Sequence, residues 1–162
     1  MMELLERMEN LPTSTWIHES LWGFPIVVGS HILGLIVSVG ILVWFDFRLM
    51  GFGMRHCRVS TLYRRLMPWA SGGFAVMFAS GVLLFAAYAT DAYPNIYFRI
   101  KMAAILLAGI NAGIYHLVTE RHVADWDESP RPPLPARTAG LVSVVLWAAV
   151  ILSGRMISYT IF

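Results

Sequence analysis

The stretch SLWGFPIVVGSHILGLIVSVGILVWF, residues 20–45, contains no formal charge between Glu19 and Asp46, and its reading decides the fold. A helix rising 1.5 Å per residue needs roughly 17–25 apolar residues to cross about 30 Å of hydrocarbon. This run meets that requirement. Three further charge-free runs lie between Arg65 and Asp91, between Lys101 and Glu120, and between Arg137 and Arg155. They predict spans near 24–45, 67–89, 98–119 and 138–158. Composition agrees, with 57% hydrophobic and 14% charged residues against roughly 45–50% and about 25% in soluble domains. An ordinary soluble domain is excluded. The connecting segments are short enough to make consecutive helices antiparallel neighbours. The expected fold is all-α: a four-transmembrane-helix up-down bundle forming one integral membrane domain over residues 1–162.

The leader before Glu19 carries Glu3, Glu6, Arg7 and Glu9 and lacks a basic segment followed by an apolar one, so it does not read as a signal peptide. Leu4, Leu5, Met8 and Leu11 recur there at helical spacing, which predicts an interfacial amphipathic helix ending at Pro12. Basic residues resist translocation and set orientation. Arg48, Arg55, Arg58, Arg64 and Arg65 fall in one loop and Arg121, Arg131 and Arg137 in another. Those loops are expected in the cytoplasm of a bacterium, with the chain in the inner membrane and both termini periplasmic. These arginines account for the net charge of +2, so nucleic acid is not an expected partner. The single cysteine, Cys57, excludes an intramolecular disulfide.

Polar residues inside the spans are costly and mark function. His31 lies roughly 10 Å below the predicted periplasmic boundary, counting 1.5 Å per residue, and imidazole is the commonest metal ligand, haem iron included. Gly34 and Ser38 share its helical face, where Ser30, Gly34 and Ser38 form a small-residue stripe that serves either helix packing or a flat cofactor. Lys101, Arg99 and Arg155 map to the periplasmic ends of spans three and four, where they either snorkel or meet paired carboxylates such as haem propionates. His116 sits about 14 Å from His31 in depth at 1.5 Å per residue, too far to share one iron, since two nitrogens on a metal stand about 4 Å apart. His18 and Met77 are the candidate further metal ligands, with an open sixth position as the third possibility. Asp46 and Arg48 are expected either to pair with each other or to cap the bundle through Arg64 and Arg65. Asn111 is expected to hydrogen-bond across helices.

The run Glu19-Ser20-Leu21-Trp22, Phe24-Pro25, His31-Ile32-Leu33-Gly34 and Asp46-Phe47-Arg48-Leu49-Met50-Gly51, continued by Phe98, Lys101, Asn111-Ala112, Trp147 and Gly154-Arg155, resembles an uncharacterised family of small four-helix bacterial membrane proteins. More loosely, His31, Arg48, Lys101 and His116 are similar in order to residues of the haem-containing membrane protoporphyrinogen oxidase and of the copper-resistance membrane proteins of the D type. The fourth span has no match in the oxidase.

Two functions stay open on the sequence. One is a b-type haem membrane protein passing electrons between a periplasmic redox partner and the quinone pool, with His31 as axial ligand and Lys101 and Arg155 near the propionates. The other is a copper-handling or non-catalytic accessory subunit of the bilayer, in which His31 and Met77 bind metal or simply pack. Either function is compatible with an oligomer or a larger membrane complex.

Overall fold

The computed structural model describes residues 2–161. Four helices in it are long and apolar enough to cross a membrane: residues Gly23–Met50, Val59–Ala87, Ile96–Asp125 and Leu134–Ile161. We label the helices α1 (Met2–Glu9), α2 (Pro12–Glu19), α3 (Gly23–Met50), α4 (Val59–Ala87), α5 (Ala89–Ala92), α6 (Ile96–Ile114) and α7 (Leu134–Ile161); a π-turn over Tyr115–Thr119 and a 3-10 segment over Glu120–Asp125 prolong α6. The spanning helices run alternately up and down. The described ends of the chain therefore lie at one end of the bundle and the arginine-bearing segments at the other. This is the fold of a multi-pass membrane protein.

The second span begins well before the expected residue 67. Tyr63, Arg64 and Arg65 already belong to α4, which also carries Pro68. Charge ends the hydrocarbon-compatible window but does not end a helix, and a side chain with a long stem remains a good helix former outside the lipid. Helix α3 stops at Gly51, whose φ of 84° is the left-handed conformation that glycine adopts without strain. There Gly51 N–H donates to Arg48 O and Phe52 N–H to Phe47 O, the latter at 2.8 Å, closing the last turn.

The leader holds two helices where the sequence predicts one. Pro12 does not merely end α1; it opens α2, where its fixed φ and missing N–H suit the first turn. Glu9 Oε1 accepts from the backbone N–H and the hydroxyl of Thr90, both at 2.8 Å, tying α1 to α5. Gly23 lets α2 fold back on α3, because a Cβ there would stand 2.6 Å from Trp16 O.

The helices pack closely in the order α4–α3–α7–α6. The α3–α4 seam is the tightest. A Cβ on Gly34 would lie 2.7 Å from Met77 N and 2.8 Å from Gly73 O, and one on Gly73 would lie 2.8 Å from Ser38 N. Gly34 and Ser38 of the small-residue stripe therefore serve backbone approach, as expected of small residues in lipid. The seam itself leaves no room for a flat cofactor between Gly34 and Gly73. Between α7 and α6, Asn111 Nδ2 donates to Ala139 O at 2.9 Å. The bundle centre is filled by Val39, Met77, Ala104, Ala108, Trp147 and Val150.

Helices α4 and α6 are consecutive spans, yet they have no close backbone seam comparable to the other three. They meet through side chains, notably the stacked rings of Phe85 and Phe98, 5.1 Å apart. Short connections set the direction of neighbouring helices without dictating how closely they pack. The gap between α4 and α6 opens the interior at the end that bears the termini.

Candidate functional site

That opening is a cavity of about 350 Å³ among α3, α4, α6 and α7. Its size falls within the roughly 300–1,000 Å³ usual for small-molecule sites. The walls are apolar and aromatic, with Phe24, Phe85, Phe98 and Tyr88 among them, and the polar groups converging on it include His31, Lys101 and Arg155. Three residues far apart in sequence, 31, 101 and 155, thus share one site.

His31 is held by α4. Its Nδ1 lies 2.9 Å from Met77 O and 3.1 Å from Ser80 Oγ. A carbonyl oxygen only accepts, so Nδ1 carries the proton and the neutral ring keeps its lone pair on Nε2. A hydrogen bond of this kind, from the ring nitrogen that faces away from a ligand, fixes the tautomer of ligating histidines. Gly81 makes the ring position available: a Cβ there would lie 3.1 Å from His31 Cε1. Gly154 faces Lys101 more loosely, the site of a Cβ lying 3.6 Å from Nζ, an ordinary contact distance. Lys101 is half-buried and Arg155 exposed. Arg155 reaches outward to Tyr159, its Nη2 3.1 Å from the phenolic oxygen and its guanidinium over the ring.

The other candidate ligands lie elsewhere. Met77 is buried in the bundle centre with Sδ 4.0 Å from Ser38 Oγ, and it gives His31 its backbone carbonyl while its sulfur is absent from the cavity wall. His18 on α2 turns Nε2 to Ala87 O and lies tilted against Tyr88, ring centroids 4.3 Å apart. Among the described lining residues, His31 is the only imidazole, thioether or thiol. Among the described residues, no group of three or more His, Cys, Asp or Glu side chains is placed to hold a metal ion.

The opposite end holds features that no local signal in the sequence announces. Asp46 and Arg48 neither pair with each other nor use Arg64 and Arg65. Arg48 is fully buried and donates from Nε to Cys57 O at 3.0 Å and from Nη2 to Asp127 O at 3.4 Å and Ser129 O at 3.2 Å. It joins the segment after α3 to the segment before α7. Asp127 accepts from Ser60 N–H and Ser60 Oγ, each at 2.7 Å. His116 lies in the π-turn, far from the cavity, with Tyr63 and Glu120 as partners.

No curated protein and no solved structure matches the chain. Residues 19–160 match DUF6644, a family of unknown function. That match takes in all four spans, the cavity and the Arg48 junction, and the chain belongs to this family of small helical proteins.

Proposed function

We propose that the protein is a b-type haem-binding membrane protein that acts in electron transfer, with His31 as the iron ligand and Lys101 and Arg155 at the propionates. One observation carries this reading: a histidine whose Nδ1 proton is committed to a backbone carbonyl stands in the wall of an apolar cavity, with two cationic side chains around the same space. The donor set fits the group. Neutral imidazole nitrogen ligates haem iron, cations match carboxylates, and Gly81 keeps a Cβ atom out of the space that His31 uses. Haem supplies one-electron chemistry, and the protein supplies the ligand, the charge and the dry walls. The described lining residues include no second imidazole or sulfur, so His31 would be the one side chain of these types to hold the iron.

In this proposal the arginine-rich end faces the cytoplasm of a bacterial inner membrane and the cavity lies toward the periplasm, as the loop arginines favour. The partners are then a membrane quinone and a periplasmic redox protein. The copper-handling reading loses support from the position of the Met77 sulfur. A redox titration of the haem-replete protein tests the proposal. The absorption bands should change reversibly on reduction by a quinol, and Lys101→Met should lower the midpoint potential, because removing a nearby cation favours the oxidised group. Bands that do not respond to any quinol would remove electron transfer from the account.

A further inference from the structure

At the end opposite the cavity, α3 carries a carboxyl group that nothing neutralises. Asp46 is 5% exposed and lies within a helix that spans the bilayer by length and composition. Its Oδ2 has no hydrogen-bond partner, and among the described residues no Arg, Lys or His forms an ion pair with it. From α7 it meets Gly140, where a Cβ would stand 2.9 Å from Asp46 O, and the hydroxyl of Ser143, which hydrogen-bonds its carboxyl. A hydroxyl does not offset a full charge in lipid. Ionisable groups kept in such places mark ion pathways or proton relays.

A second set of residues leads from this carboxyl to the surface. Tyr115 is buried beside Phe45, with ring centroids 6.2 Å apart, and its charged and titratable neighbours are Glu120, Tyr63, Asp46 and Asp127. Tyr63 on α4 also packs against Phe45, ring centroids 5.7 Å apart, and reaches His116 Nε2 with its hydroxyl at 3.4 Å. His116 Nδ1 pairs with Glu120 Oε2, and both side chains reach the surface of the bundle, 42% and 30% exposed. The backbone here is the π-turn over Tyr115–Thr119, a distortion often found at functional sites.

We propose that Asp46 is a proton-accepting carboxyl within the membrane, supplied from the arginine-rich face by Glu120, His116, Tyr63 and Tyr115. Glu120 takes a proton from water and gives it to His116 Nδ1. Nε2 releases its proton to the Tyr63 hydroxyl as that hydroxyl passes its own inward. Tyr115, which packs with Tyr63 around Phe45, the residue next to Asp46 in the chain, completes the transfer to the carboxylate. Only N–H and O–H bonds form and break, and no electrons move. The path is independent of what the cavity holds.

Infrared spectroscopy of the full chain in lipid nanodiscs, without added ligand, tests this. A protonated-carboxyl C=O band should appear on acidification, vanish in Asp46→Asn, and shift promptly on transfer to D2O. In His116→Ala and Tyr63→Phe the band should persist while its deuterium shift slows by roughly tenfold or more, as expected when a positioned proton carrier is lost. Glu120→Gln, at the exposed mouth, should slow the shift likewise and serves if a buried variant fails to fold. A spectrum with no Asp46-dependent band across the pH range of the folded protein overturns the proposal. So does exchange at the wild-type rate in all three relay variants.

Discussion

His31 and Met77 are joined across the α3–α4 seam, the ring Nδ1–H donating to the Met77 carbonyl oxygen at 2.9 Å. The bond uses the Met77 main chain, while the Met77 sulfur lies beside Ser38. Met77→Leu keeps the carbonyl and nearly the same volume, and such core exchanges usually cost under about 1.5 kcal/mol. Cofactor content of the purified variant should stay close to wild type. A marked loss would show that the thioether itself is a ligand.

Gly81 is the position where a small change should move His31. A Cβ there would come within 3.1 Å of Cε1, so Gly81→Ala should displace the ring slightly and Gly81→Val substantially. Cofactor content should fall in that order while the helical circular dichroism is unchanged. Equal content in all three proteins would detach the ring position from binding.

Gly72 and Gly73 are adjacent, and their substitutions should differ sharply. Nothing lies within 4 Å of a Cβ at Gly72, whereas one at Gly73 would meet Ser38 N at 2.8 Å and Gly34 O at 2.9 Å. Backbone atoms cannot swing aside as a side-chain tip can. Gly73→Ala should destabilise by about 1–3 kcal/mol, the usual cost of overpacking, and Gly72→Ala should be neutral or better because alanine favours helix. Unfolding midpoints in mixed detergent check the contrast.

Arg48 should be irreplaceable by lysine. Its guanidinium serves the carbonyls of Cys57, Asp127 and Ser129 at once, and a point-charge ammonium lacks that fork. Arg48→Ala should cost about 2–5 kcal/mol, as expected when buried partners of a charged group are left unpaired, and Arg48→Lys should recover only part of it. Limited proteolysis should then cut within residues 51–58 and 126–133 more readily than in the wild type.

Acid should loosen the same junction through Asp127. Burial alone would raise the pKa of its carboxyl, but the backbone and hydroxyl hydrogen bonds from Ser60, helped by Arg58 and Arg48, hold it below the ordinary value. A depressed folded-state pKa contributes stability above the unfolded value, near 3.9, and that stability is lost as pH falls through the folded value. Proteolysis at residues 126–133 should therefore accelerate below about pH 4 in the wild type. Ser60→Ala should shift the onset toward higher pH.

The spans were legible because charge-free length is a property of local sequence. Residues 24–45 lie wholly within Gly23–Met50, for example, whereas the start of α4 at Val59 was hidden because helix persists beyond the lipid-compatible window. His31, Lys101 and Arg155 could be placed at one end by direction of travel alone. The α4–α6 gap that shapes their cavity depends on how helices pack, which hydropathy does not encode. The partners of Arg48 lie 9, 79 and 81 residues away, and the contact between Tyr63 and His116 spans 53 residues. Neither has a local signature. Gly34 was visible as a small residue, but its use for backbone approach to Gly73 depended on which helix lay opposite.

The visible absorption spectrum of purified, haem-replete protein, recorded for wild type, His31→Ala and His116→Ala side by side, tests the central claim most directly. A Soret band should be present in the wild type, lost in His31→Ala and largely kept in His116→Ala, because His116 sits at the far end of the bundle with Tyr63 and Glu120. No Soret band in the wild type, or a band lost with His116 and kept without His31, would contradict the account.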